Sequence, residues 1–210
     1  MKKKVKIIIG IFILAAVSFL YGHIAKTHNI YDSETDPDSY QNTGILTTLG
    51  ARQEFTCKEE YLDGVRIKCS VHGEEVQGAD TVITYELKDL ETGEIAAVGE
   101  VDGGDVENNK FQDFRFDRVE NSEGKRYEIS LYSNQTFGED HSDGIGFYYE
   151  NETREDTPVI VAENEVKEIK SGTLVMKTIT DRFDLETCVV FFVFALYVIL
   201  FMRFLYKLFK

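Results

Sequence analysis

The chain has 210 residues and a formal net charge of −14, with 37 acidic against 23 basic residues. That balance excludes the electrostatic footprint of a nucleic-acid binder and repels anionic lipid and polyanionic polymers; neutral glycans, cations and basic proteins stay open as partners. Once two apolar runs are set aside, the length leaves room for one domain of ordinary size.

The first run follows Lys2, Lys3, Lys4 and Lys6: residues 7–25, IIIGIFILAAVSFLYGHIA, are 19 without a fixed charge. That is close to the ~20 that cross a hydrocarbon core as a helix. SFLYGHIAK offers no clear A-x-A-like cleavage site, so this helix is expected to be retained rather than removed as a signal peptide. Residues 26–47 are polar and read as a stalk.

The pattern then changes to period 2, the signature of half-buried strands. In VRIKCSV, Val65, Ile67, Cys69 and Val71 alternate with Arg66, Lys68 and Ser70. TVITYELKDL aligns Ile83, Tyr85 and Leu87, and FRFDRV aligns Phe114 and Phe116. KRYEISLYS aligns Tyr127, Ile129 and Leu131, and GIGFYYE aligns Ile145, Phe147 and Tyr149. Weaker candidates are QEFTCKE, EIAAVGEV, PVIVA and SGTLVMKTIT, and turn signals such as LDG, LETGE and NSEGK separate the runs. The fold class expected for residues 48–180 is therefore all-β: an antiparallel β-sandwich, jelly-roll-like, with its first and last strands ending at the same side.

After a juxtamembrane piece at 181–186 comes the second apolar run, TCVVFFVFALYVILFM, which Arg203 extends to 187–206 by snorkelling. Arg203, Lys207 and Lys210 close it. Basic flanks mark the cytoplasmic side, so residues 1–6 and 207–210 are expected there, with the sandwich outside. Seven of the 23 basic residues are used in these flanks; the other 16, set against all 37 acidic ones, leave the intervening segment at −21.

The strand phrases resemble a known class. L-x-G-V-x-I in YLDGVRIK and F-x-F-x-x-V-x-N-S-x-G-K-x-Y-x-I-x-L in FRFDRVENSEGKRYEISL, within residues 48–150, resemble the jelly-roll ectodomains of bacterial membrane glycosyltransferases and other polysaccharide-assembly membrane proteins. The polytopic catalytic part of those relatives has no counterpart here. The resemblance implies a free-standing accessory domain in envelope polysaccharide assembly or display, docked through its helices to a membrane glycosyltransferase or polysaccharide export protein. A shielding subunit of a transporter or transferase is one alternative. A polysaccharide chain-length regulator is another, although that class would carry long helices outside the membrane.

Four kinds of site are candidates. Cys57 and Cys69 share inward parity; outside the cytoplasm a disulfide is allowed, two buried thiols fit equally, and a Cα separation within about 7 Å is what tells them apart. The acidic loops DSETDPD, DGGDVE and EDHSDG offer the clustered oxygens that calcium takes, with Asp102, Asp105 and Glu107 the best set, though Asp and Gly are also ordinary turn residues. No other cofactor is expected. Tyr132 and Tyr148 take outward parity beside a loop carrying Asp140, His141 and Asp143, an arrangement suited to a neutral glycan. Catalysis finds no constellation: the four histidines lack metal-ligand spacing and no nucleophile motif is present, so a non-enzymatic role is expected.

Overall fold

The computed structural model describes residues 2–73, 81–134, 144–154, 159–163, 166–170 and 172–210. The chain divides into two units, Met1–Lys26 with Asp181–Lys210, and Thr27–Thr180.

In the first unit, α1 runs over Lys2–Tyr21 and α2 over Leu185–Leu208. The Asp184 carboxylate caps α2 by accepting the Thr187 N–H at 3.1 Å, which satisfies one of the amides that a helix start leaves unpaired. Of the described helices, α2 alone is long and apolar enough to cross a membrane; the apolar part of α1 covers Ile8–Tyr21. The expected first span of 7–25 is therefore too long: the helix stops at Tyr21 and His23 opens a strand. The cause lies at Gly22. Its carbonyl accepts the Asp184 N–H at 2.7 Å, and a Cβ there would stand 2.8 Å from that of Cys188. The Tyr21 ring stacks on Phe191 with centroids 4.3 Å apart.

The strands are β1 His23–Asn29, β2 Gln41–Asn42, β3 Ala51–Thr56, β4 Tyr61–His72, β5 Val82–Asp89, β6 Ile95–Asp102 and β7 Phe111–Glu120. They continue with β8 Arg126–Ser133, β9 Gly144–Glu150, β10 Val159–Glu163, β11 Val166–Lys170, β12 Thr173–Leu174 and β13 Met176–Phe183. Every strand expected from alternation is present. One sheet has the order β1-β13-β4-β9-β12, with β2 added on β9 and β7 on β4; the other is β11-β10-β3-β8-β5-β6. The antiparallel pairs β5–β6, β4–β7, β3–β8 and β2–β9 enclose one another in turn.

The sheets pack face to face because each carries one apolar side. Phe55, Ile83, Leu87 and Leu131 of one meet Val65, Ile67, Phe147 and Leu174 of the other in a single buried cluster. At its centre the Phe114 ring lies edge-on to Tyr85, with centroids 5.3 Å apart, and to Phe147, at 6.0 Å. Tyr85 belongs to the opposite sheet, and its hydroxyl donates to the Arg115 carbonyl. Gly99 of β6 must lack a side chain, because a Cβ would overlap the Tyr85 phenol.

Two expectations are corrected. The stalk at 26–47 is instead built into the sandwich: β1 lies beside β13, β2 pairs with β9, and Ile30 N–H donates to Met176 O at 3.0 Å. Phe114 and Phe116 share parity, but only Phe114 is fully buried, whereas Phe116 packs against the cluster's margin. Phe114→Ala should accordingly cost about 3 to 5 kcal/mol through the cavity it leaves. Phe116→Ala should cost clearly less, as read by urea denaturation of the full chain; equal losses would contradict this packing.

Candidate functional site

Inward packing of Val65, Ile67 and Cys69 turns Arg66, Lys68, Ser70 and His72 to the other side of β4. The register places Phe111 of β7 opposite Lys68 and Asp113 opposite Arg66. On the other flank Lys177 of β13 also pairs with Arg66. On β9, Phe147 faces inward opposite Cys69, so Tyr148 points out. The outer face of this sheet thus collects Lys68, Lys177, Phe111 and Tyr148.

Residues 30–42 cross over that face. At one end Glu150, 1% exposed, accepts the Asp32 N–H at 3.1 and 3.2 Å, the Thr35 hydroxyl at 3.1 Å and Arg154 Nε at 3.0 Å. Arg154 also bonds the Asp32 carboxylate at 3.2 Å. At the other end Asn42 Nδ2 donates to Ser70 Oγ at 2.7 Å and lies 3.0 Å from His72 Nε2. Ser70 Oγ is 3.3 Å from the same imidazole nitrogen, but the serine is buried and tied to Asn42. It acts as a pin, not as an accessible nucleophile.

The crossing segment adds two rings. Tyr31 sits 6.3 Å from both Tyr40 and Phe111. Lys68 Nζ lies 5.0 Å from the Tyr40 centroid and 5.5 Å from that of Tyr148. Lys177 Nζ lies 4.9 Å from Phe111 and 5.9 Å from Tyr31. The result is an aromatic floor and rim around two ammonium groups, all six side chains being half-buried.

The electrostatics follow from that enclosure. Burial lowers the Lys68 pKa, since it disfavours the charged form. Burial, and then the negative charge of Glu150, raise the Tyr31 phenol; burial is also the largest cause at Tyr40. Beside them Arg66 grips Asp113 through Nε and, at 2.9 Å, through a terminal nitrogen, which holds the Asp113 carboxyl below its ordinary value.

The residues expected as sites fare differently. Tyr148 is part of this face. Tyr132 also points outward, but it sits on β8 opposite Thr84 of β5, in the other sheet, so the two tyrosines look away from each other. Asp140, His141 and Asp143 lie outside the described residues. Asp102 is occupied as a turn cap, accepting the Gly104 N–H at 2.9 Å. Asp105 and Glu107 line a depression with Lys110, Phe111 and Gln112. Among the described residues no three His, Cys, Asp or Glu side chains form a group able to hold a metal ion.

Of the two alternatives left open for Cys57 and Cys69, the structure has the second, both being free, buried thiols. Cys57 exchanges backbone bonds with Lys125 and Gly124, at the end of the sandwich where Ser122 bonds Glu60. Cys69 lies eight residues along β4 from Tyr61, roughly 26 Å at the rise of a strand. Burial raises both thiols, that of Cys69 to about 12, so neither is a ready nucleophile.

Tyr31 and Tyr40 escape a sequence reading because they stand in a polar segment without alternation. The only signal there is the pair of tyrosines themselves, in NIYDS and DSYQN. No protein-family model matches the chain, and no curated protein matches it in sequence.

A carboxyl whose folded pKa lies below its unfolded value adds stability above the unfolded value and loses that contribution as pH falls through the folded one. Asp113 is such a group, so its contribution is present at neutral pH and disappears in the acid range below about 4. Asp113→Asn should flatten the acid limb of a stability-versus-pH curve and lower stability at pH 7 by about 1 kcal/mol or less, the pair being partly exposed. An unchanged acid limb would show that the pair contributes nothing.

Proposed function

We propose that the chain is a non-enzymatic, membrane-anchored module of the jelly-roll class that assists cell-envelope polysaccharide assembly or display by weak contact with a glycan. The observation that carries this is the outer face formed by Tyr31, Tyr40, Phe111 and Tyr148 with Lys68 and Lys177. Aromatic faces suit the C–H surfaces of sugar rings, and convergent polar groups supply orientation. The jelly-roll assignment draws on the nested strand pairs and on the two sheets they form. Envelope glycan assembly as the setting comes from the resemblance of the strand phrases to accessory ectodomains.

The anchoring we propose is two-pass, with both termini cytoplasmic. It draws on the length and apolar character of α2 and on the basic flanks at each end of the chain. The helices would dock the module to a membrane glycosyltransferase or polysaccharide export protein, and the avidity of that complex would offset weak stacking without Trp. A second reading, a shielding subunit, draws on the half-burial of Tyr31 and Tyr40: a crossing segment that closes the face needs no ligand.

Two measurements test these proposals. In a chain with Cys57, Cys69 and Cys188 replaced by Ser, Ser39→Cys and Asn151→Cys, both at exposed positions, should react with a membrane-impermeant thiol reagent on intact cells, whereas Lys210→Cys should not. Reaction at position 210 alone would reverse the topology. In micelles, titrating the full chain with a glucose oligosaccharide should shift ring signals of Tyr31, Tyr40 and Tyr148 and leave Tyr132 still. Shifts at Tyr132 alone, or none, would remove the glycan reading in favour of shielding.

A further inference from the structure

We propose that the glycan taken by this face is an acidic one, its carboxylate lodged between the Lys68 and Lys177 ammonium groups while a sugar ring lies against Tyr148. This ligand class rests on the glycan-contact reading of the same face.

The two lysines are close neighbours. Lys177 pairs with Arg66 across the β4–β13 ladder, and Lys68 is two residues further along β4 on the same side. Among the described residues neither ammonium meets a carboxylate. The acids nearby are already engaged: Asp113 by Arg66 and Arg115, Glu150 by Arg154 together with the Asp32 N–H and Thr35, and Asp32 by Arg154 and the Glu34 N–H. Other half-buried cations of the domain do find acids, as Lys125 does with Asp89 and Arg154 with Glu150.

Two like charges on neighbouring strands repel, and each ammonium stands half-buried among rings. A ring face returns only a small part of the hydration that burial removes from an ammonium at a partly exposed site. A carboxylate held by both would do more, because hydrogen bonds between ionised partners are roughly twice as strong as neutral ones. The segment is acidic overall, at −21, and still no carboxylate among the described residues pairs with either ammonium, which leaves room for a ligand's counter-charge. A sugar fits better than a bare anion because the rings of Tyr40, Tyr148 and Phe111 stand around the same ammonium groups. The expectation of a strictly neutral glycan came from net charge, whereas the field within a few ångströms is set by the nearest groups.

The test compares two probes on the full chain in micelles: a glucuronate oligosaccharide, and the glucose oligosaccharide of the same length and linkage, which lacks only the carboxylates. The glucuronate form should bind at least about tenfold more tightly. Lys68→Gln with Lys177→Gln should abolish that preference, whereas Lys88→Gln, on the opposite sheet, should leave the affinity for both probes unchanged. Equal affinity of the unaltered chain for both probes would overturn the acidic-sugar assignment and leave the glycan reading standing. Binding of neither probe would overturn both. Inorganic phosphate binding as tightly as the glucuronate oligosaccharide would also overturn the assignment, making the lysines a simple anion site.

Discussion

The sandwich depends on one aromatic junction, the Phe114 ring set edge-on between Tyr85 of the opposite sheet and Phe147 of its own. A side chain buried on both sides fixes the register of its strand, because a slip of one residue would turn it out to solvent. With Phe114 inward, Phe111 and Asp113 must point outward, and through the β4–β7 ladder so must Lys68 and Arg66. The Tyr85 hydroxyl on the Arg115 carbonyl adds a polar tie across the same junction. The candidate face is therefore the reverse side of the core, and whatever preserves one preserves the other.

A second constraint completes the face from the N-terminal side. Glu150 is a buried carboxylate with three hydrogen-bond donors around it: the Asp32 N–H, shared between its two oxygens, the Thr35 hydroxyl and Arg154 Nε. A charge in that position is tolerated only when it is paired and hydrogen-bonded, and removing a single partner leaves it uncompensated. The chain between Asp32 and Asn42 is thereby committed to cross the sheet, which brings Tyr31 and Tyr40 over lysines far away in sequence. The anchoring energy is spent on position: the carboxylate that holds the segment is not itself on the face.

Most elements are legible in the residue pattern. Alternation in VRIKCSV, VITYELKDL, KRYEISLYS and GIGFYYE marked β4, β5, β8 and β9 and gave the correct facing for Tyr132 and Tyr148. It placed the two tyrosines in one cluster only because parity does not say which sheet a strand joins. The turn of β1 and β2 into the sandwich was hidden for a related reason. Short strands at an edge bury little, so their residues need no alternation, and HIAKTHN and QN carry none.

The sequence by itself determined the strand content, the inward side of each long strand, the acidic character of the middle of the chain and the apolar run that forms α2. Each of these is set by near neighbours along the chain, through a repeat of two residues or a sustained run of one polarity. Tertiary structure alone decided that Cys57 and Cys69 are separate buried thiols, that Tyr132 and Tyr148 look opposite ways, and that Tyr31 and Tyr40 complete a face with Lys68 and Lys177. Those facts depend on pairings between strands distant in sequence, such as β2 with β9 and β4 with β13. Such pairings are chosen by the packing of the whole core, and no local pattern of residues carries them.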